Sequence, residues 1–343
     1  MRQNVLLGKD HLVIAEIAQA HDGDATVAHS LIEAAARAGV HAVKFQTHIA
    51  SAESTSREPW RVKFSKRDAT RFDYWQRMEF SVQQWRELKA HCEEVGVEFM
   101  SSPFSPQAVE LLMDIGVRVW KVASGEVANE QLLDSLKATK LPVIFSSGLS
   151  TIEELHLAVN RVQLPQAEFA ILQCATQYPT SPDYIGLNVI PELESRFGCV
   201  VGISDHTATI FATVAAAAIG ARIFEVHIRP ENDDSGPDAS SSLIELQLAD
   251  LVKGVAFVRE ALRNPVDKHT LSADQVRLRG VFGRSLVASR DLQLGHVLMA
   301  SDFAYKKPGG GLQYHDLHRL VGRRLCRDLA LNQEFAESDL EVV

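Results

Sequence analysis

Gly202-Ile203-Ser204-Asp205-His206-Thr207 and Ile223-Phe224-Glu225-Val226-His227-Ile228 are the stretches on which the fold of this chain is decided. In each, an apolar run of strand type gives out at or just before a histidine. If the two runs are neighbouring parallel strands, their imidazoles meet at one rim of a sheet. Earlier runs end in Lys44-Phe45-Gln46, Ser101-Ser102-Pro103 and Lys121-Val122-Ala123-Ser124-Gly125-Glu126, and Ser235-Gly236-Pro237-Asp238 follows the second histidine. Polar chemistry at the C-terminal end of successive strands is the mark of a catalytic barrel rim.

Working outward, β-rich runs over 12–18, 41–46, 97–101, 117–123, 142–146, 169–174, 200–204 and 222–227 alternate with stretches of helical apolar spacing. The clearest helical stripe is Leu251, Val255, Val258 and Leu262. Such alternation is what a parallel sheet wrapped by helices needs, and eight units favour a closed barrel over an open sheet. The fold class expected is therefore α/β, a (β/α)8 TIM barrel over residues 1–263. A Pro- and polar-rich linker over 264–279 and a small, mostly β domain over 280–343 complete the chain. Within that domain Arg290-Asp291-Leu292-Gln293-Leu294-Gly295, leading to Ser301-Asp302-Phe303, returns at the same spacing as Arg327-Asp328-Leu329-Ala330-Leu331-Asn332, leading to Ser338-Asp339-Leu340. This echo predicts two β units related by pseudo-symmetry, near the lower size limit for independent stability.

One connection, 47–80, is too long for a tight βα turn and carries Trp60, Arg61, Lys63, Arg71, Tyr74 and Trp75. It is read in two ways: as a cover that closes over an anionic or sugar ligand, or as an insertion packed by its own aromatics.

The 343 residues are 46% apolar, enough for a sizeable core. A net charge of -9 without a dense Lys/Arg block argues against nucleic acid or a membrane surface as partner and leaves a small molecule. Cys92, Cys174, Cys199 and Cys326 are scattered, so neither a disulfide framework nor a zinc knuckle is suggested. The opening residues Met1 to Asp10 lack a signal-type apolar core, and no later run approaches membrane-spanning length. A cytoplasmic protein with reduced thiols is expected.

His206 and His227 are candidate ligands for a borderline metal, although a lone histidine pair is more often structural. Glu16, Glu126 and Asp238 fall at strand ends or just past them and supply oxygen ligands or acid/base groups about the same axis. Lys44 and Lys121 end apolar runs, where an ammonium is costly unless an anion meets it. Either alone reads as a snorkelling structural lysine. Together with Ser102, Ser124, Ser146 and Ser204 they suggest a cradle for a carboxylate and a phosphate. Gly125, Gly148 and Gly236 sit beside rim residues, by close approach of substrate or by turn geometry, and Tyr178 before Pro179 could meet a sugar or pack a loop. No Walker-type or dinucleotide glycine loop is present.

These residues, taken in order with Ala15-Glu16-Ile17, His21-Asp22-Gly23, Val43 to Thr47, Ser102-Pro103-Phe104, Ser146-Ser147-Gly148, Tyr178-Pro179 and Gly236-Pro237-Asp238, resemble the sialic acid synthases almost end to end. That family condenses phosphoenolpyruvate with an N-acylated amino-hexose. The C-terminal region similarly resembles its antifreeze-like (SAF) domain, with Lys307-Pro308-Gly309-Gly310-Gly311 at the signature turn. The resemblance implies that His206 and His227 hold a divalent metal, manganese or magnesium. It implies that Lys44, Ser102, Lys121, Ser124, Ser146 and Ser204 contact phosphoenolpyruvate, with Thr176 near the phosphate. Glu16, Gln46, Glu126, Tyr178 and Asp238 would surround the sugar and the reacting carbonyl, with Glu126 ahead of Glu16 as the acid. It further implies a domain-swapped homodimer, in which Lys307 stands where an arginine of the partner more often reaches the sugar's acyl group. Other readings are a sibling synthase taking another aldose, a metal-dependent aldolase using free pyruvate, and an inactive carbohydrate-binding homologue.

Overall fold

The computed structural model describes residues 7–341; the part of the N-terminal reading that rests on residues 1–6 lies outside them. The chain divides into two units, one ending at Asn264 and the other beginning at Pro265. In the first, β1 (Leu12–Glu16), β2 (Ala42–Thr47), β3 (Glu98–Pro103), β4 (Trp120–Val122), β5 (Val143–Ser146), β6 (Phe169–Cys174), β7 (Val200–Asp205) and β8 (Ile223–Ile228) pair in chain order, all parallel. Strand β8 pairs back onto β1, with Leu12 opposite Ile223 and Glu16 opposite His227, so the sheet closes as the alternation predicts. A two-residue strand, β9 (Ser242–Leu243), adds to β8 and was not anticipated. The fourth strand, expected over 117–123, is confined to the three residues Trp120–Val122.

Strand side chains alternate between the two faces, and this decides what reaches the rim. Leu12, Ile14, Met100, Ile144, Leu172 and Ile223 form one buried apolar cluster inside the barrel. Their outward neighbours, among them Val13, Phe45, Trp120, Phe145 and Phe224, belong to the larger core under the helices. Two residues beyond the inner apolar layer the same face carries Glu16, Lys44, Ser102, Lys121, Ser146, Ser204 and Glu225, all buried. Helices return the chain to the sheet and start on side-chain caps, Ser81 with Gln84 and Thr151 with Glu154. The last barrel helix, Glu245–Arg263, buries Leu251 and Val255 as its stripe predicts, whereas Leu262 in its final turn is exposed.

Both readings of the 47–80 connection describe part of it. Tyr74, Trp75 and Met78 of helix Arg71–Met78 are buried with Ala50, and Trp60, Phe64 and Phe72 pack against them. The same segment also walls a cavity, described below.

In the second unit β10 (Ser285–Ala288) and β11 (Phe303–Lys306) pair antiparallel around a core that includes Leu286, Leu292, Leu298, Leu325, Leu329 and Phe335. The sequence echo is visible as geometry. Arg290 pairs with buried Asp302 at 2.7 Å and Arg327 with buried Asp339 at 2.5 Å. Asp328 accepts from the Leu294 backbone and Asp291 from that of Leu331, a reciprocal exchange, while Leu292 and Leu329 bridge directly. The stretch read as linker, 264–279, instead carries the start of helix Ala273–Phe282, which opens on a Ser272/Gln275 capping box and buries none of its residues. It lacked a core-facing stripe because it has no buried face, so only the cap could have announced it.

Strand β7 carries Gly202 on its inward face for a steric reason. A Cβ there would sit 2.0 Å from the Ile223 carbonyl oxygen and 2.7 Å from Leu172 Cδ2. Gly202→Ala is therefore expected to force β7 and β8 apart and to cost about 3 kcal/mol of stability. Urea unfolding of the two proteins measures this; a loss below about 0.5 kcal/mol would contradict the close approach.

Candidate functional site

The inward layer at the C-terminal ends of the strands holds a cluster of opposite charges. Lys44 forms an ion pair with Glu16 and lies 3.8 Å from Glu225 Oε1, while Lys121 lies 3.6 Å from that same oxygen. Hydroxyls complete the set: Lys44 Nζ donates to Ser102 Oγ at 3.3 Å, Lys121 Nζ to Ser146 Oγ at 2.7 Å, and Ser204 Oγ to Glu225 Oε1 at 3.1 Å. Burial pulls the Lys44 ammonium down to about 7, against the opposing attraction of Glu225. Burial also opposes ionisation of Glu225, but Lys121 and Lys44, with His227 and Ser204, outweigh it and keep its carboxyl well below the usual range. Glu225 Oε2 has no hydrogen-bond partner among the described residues.

The two histidines meet as expected, with ring centroids 5.2 Å apart and both rings buried. His206 Nδ1 lies 2.8 Å from the Ala175 carbonyl, which places a proton on Nδ1, and although burial opposes a charged ring, Cys174 and that carbonyl raise it above the ordinary value. Burial, with the nearby His206 and Lys44, outweighs the pull of Asp238 and holds His227 down at about 4, so its ring is unprotonated at neutral pH. No group of three or more His, Cys, Asp or Glu side chains among the described residues is arranged to hold a metal. The two imidazoles are the donors this rim would offer a cation, whose other positions would fall to water or substrate.

Beside the histidines lies a cavity of about 490 Å3 lined by Gln46, Trp60, Arg61, Tyr178, His227 and Asp238, among others. Tyr178 stacks on His206 at 4.1 Å, and the Arg61 guanidinium lies 4.3 Å from the Tyr178 ring centroid on its other contact. Arg61 also donates to Asp238 Oδ1 at 2.7 Å and to the Pro237 carbonyl at 2.9 Å. The long connection thereby reaches across to the loop after β8. Gln46 lies two residues beyond Lys44 on the same strand face, so the charged layer sits just deeper than the cavity wall.

Two of the remaining predicted residues join this wall, and Glu126 and Lys307 do not. Ser124 and Thr176 line it, and Ser124 Oγ lies 3.5 Å from Cys174 Sγ. Glu126, in the turn after β4, accepts from Asn129 Nδ2 at 2.7 Å, and burial raises its carboxyl above the ordinary value. Lys307 belongs to the second unit, where its ammonium lies 5.8 Å from the Phe282 ring centroid. Glu225, to which the sequence reading gave no role, and Arg61, which it placed in the long connection without a partner, take central positions. Glu225 was legible by alternation, because it shares a strand face with His227, two residues on. Arg61 carried no such signal, since its place follows from the path of a long connection.

Fold and rim together define a barrel enzyme with its site at the C-terminal ends of the strands and a small β unit appended. Sequence models match the NeuB family over residues 31–267 and the SAF domain over 283–341. This chain belongs to the NeuB family, as its motifs suggested. It is 32% identical to human N-acetylneuraminate-9-phosphate synthase, over 91% of this chain and 88% of that one. It is 28% identical to N,N'-diacetyllegionaminic acid synthase of Campylobacter jejuni, over 92% of this chain and 96% of that one. A crystal structure of the N-acetylneuraminic acid (sialic acid) synthetase of Leptospira borgpetersenii serovar Hardjo-bovis, in complex with citrate, superposes with a TM-score of 0.68 at 27% identity. That match covers 79% of this chain and 90% of the other. The family is one of nonulosonic acid synthases. No helix among the described residues is long and apolar enough to cross a membrane.

Glu225 is the carboxylate that both ammonium groups share. Glu225→Gln removes its charge and is expected to lower the unfolding free energy by about 3 kcal/mol. Urea unfolding at neutral pH reads the loss, and an unchanged midpoint would mean that the lysines do not depend on it.

Proposed function

We propose that this chain condenses phosphoenolpyruvate with the open-chain aldehyde of an N-acylated amino-hexose, N-acetylmannosamine or a related sugar. The products are a nine-carbon sialic-acid-type keto acid and inorganic phosphate, released by C–O cleavage. The observation that carries this reading is the pair of buried ammonium groups, Lys44 and Lys121, set among serine hydroxyls one layer below a sugar-sized cavity. Such a pair answers a carboxylate and a phosphate on one small substrate better than a neutral ligand.

In this mechanism Lys44, Lys121, Ser102, Ser124, Ser146 and Ser204 bind the enol ester, with Thr176 at its phosphate end, and their charges are in place before the reaction begins. Gln46, Tyr178 and Asp238 orient the sugar so that its C1 faces C3 of the enol phosphate. His206 and His227 would hold a divalent cation, manganese or magnesium, whose chemistry when bound is to polarise an aldehyde oxygen. The C3–C1 bond forms, and the aldehyde oxygen takes a proton, for which Glu126, favoured in its protonated form by burial, is the first candidate. Glu16 is the second, because it is already engaged with Lys44. Water adds to the cationic C2 with loss of a proton, and the C2–O bond to phosphate breaks with its electron pair leaving on phosphate as C2=O forms from the new hydroxyl, whose proton passes to the departing phosphate. The working unit in this reading is a domain-swapped homodimer in which Lys307 of the partner reaches the sugar. A cytoplasmic setting is supported by four free cysteines.

The test is phosphate release from phosphoenolpyruvate against N-acetylmannosamine, its 6-phosphate, a 2,4-diacetamido hexose and mannose, with manganese and magnesium each supplied. Release that requires one of these sugars is expected, and sugar binding without consumption of phosphoenolpyruvate would overturn the reading. In the same assay His227→Ala should lower kcat by on the order of a hundredfold or more. Normal turnover of that variant in chelated buffer would remove the metal from the scheme. Lys121→Ala should raise the KM for phosphoenolpyruvate about tenfold or more, through lost ground-state binding; an unchanged KM counts against the cradle.

A further inference from the structure

The residue that follows β2 has no part in the chemistry above. His48 is buried, and its ring lies between those of Trp75 and Phe104, with centroids 3.9 and 4.3 Å away and planes within 19° and 18° of its own. Held in that slot, the imidazole can turn only within its plane, and its two nitrogens meet different partners. Nδ1 lies 2.5 Å from Glu53 Oε1. Nε2 lies 3.0 Å from Gln19 Nε2 and 3.3 Å from Gln46 Oε1. Gln19 Nε2 donates in turn to Gln46 Oε1 at 3.0 Å.

Donor and acceptor rules assign the protons along this chain. An ionised carboxylate only accepts, so the ring proton is on Nδ1. An amide nitrogen only donates, so His48 Nε2 accepts from Gln19. The second amide hydrogen of Gln19 goes to Gln46 Oε1, which uses the oxygen of that carboxamide. Its nitrogen has no partner among the described residues, and Gln46 lines the cavity.

We propose that Glu53, His48 and Gln19 form a positioning relay that holds the Gln46 carboxamide with its NH2 towards the cavity. This point of the wall then reads a hydrogen-bond acceptor on the sugar, a hydroxyl lone pair or an acyl carbonyl oxygen. For its substrate the inference rests on the proposed reaction; the relay itself does not. A doubly protonated His48 would break this assignment, because its Nε2–H could no longer accept from Gln19 and would have Gln46 Oε1, 3.3 Å away, as its acceptor.

Nitrogen-15 NMR of the imidazoles in the full-length labelled protein separates the two states without any turnover. The His48 signals are those lost in His48→Phe or moved in Glu53→Gln. One protonated and one bare nitrogen are expected, and two protonated nitrogens would overturn the relay. Kinetics supply the second readout. Gln46→Glu keeps an acceptor for Gln19 and removes the cavity donor, so the KM for the sugar should rise about tenfold or more. His48→Phe, which preserves the aromatic stack and adds no charge, should raise the sugar KM while that for phosphoenolpyruvate stays within about twofold. An unchanged sugar KM in Gln46→Glu would refute the assigned polarity. A wild-type protein that releases no phosphate with any sugar would refute the proposed reaction, leaving the relay to be judged on its nitrogen signals.

Discussion

Everything at this rim depends on burying two ammonium groups and two carboxylates together inside a closed sheet. Each alone would be strongly disfavoured there, and each is tolerated because an opposite charge or a hydroxyl lies beside it. Pairing of this kind does not add stability by itself; an apolar layer would pack as well. Its effect is to hold charged groups, dry and fixed, where they cost no reorganisation when a charged molecule arrives. The closed barrel makes that possible, because strands β1, β2, β4 and β8 bring Glu16, Lys44, Lys121 and Glu225 to one level from positions far apart in the chain.

The site divides its work between rigid and irregular parts. Strand ends carry the charges and the two imidazoles, whose separation is set by sheet register. The cavity wall above them comes largely from the long connection after β2, anchored by its own aromatic cluster and by Arg61 on Asp238 and Tyr178. A barrel can in this way keep one chemistry at its rim while the shape and polarity of the acceptor pocket follow the loop.

How much of this was legible depends on the range of the signal. Strand alternation is local, so the eight strands, the inward lysines and serines and the meeting of His206 with His227 could be read from the chain. The doublet of Arg290/Asp302 and Arg327/Asp339 was equally readable, and the aspartate of each pair is buried. Glu225 was readable by the same rule but hidden within an apolar run whose histidine drew the attention. The partners of Arg61 and the Glu53–His48–Gln19 chain were not readable. Their partners are chosen by how a connection of some thirty residues folds back, which no local pattern specifies. The helix Ala273–Phe282 fell between these cases, with a readable cap and no buried stripe.

Charge balance links the rim to the reaction proposed for it. With Glu16 and Glu225 ionised and both lysines protonated, the four groups cancel, so the cluster by itself cannot offset a substrate carrying both carboxylate and phosphate. Each added negative charge at this depth is costly at the low effective dielectric of the interior. Positive charge must therefore accompany such a substrate, or protons must. Lys44, drawn down to about 7 by burial, is the group whose proton an incoming anion would retain. His227, which lines the cavity with a neutral ring, and His206 beside it are the groups through which a cation could enter the balance. The lysines and the imidazoles thus answer one electrostatic demand from two sides, which is why the reading of either strengthens that of the other.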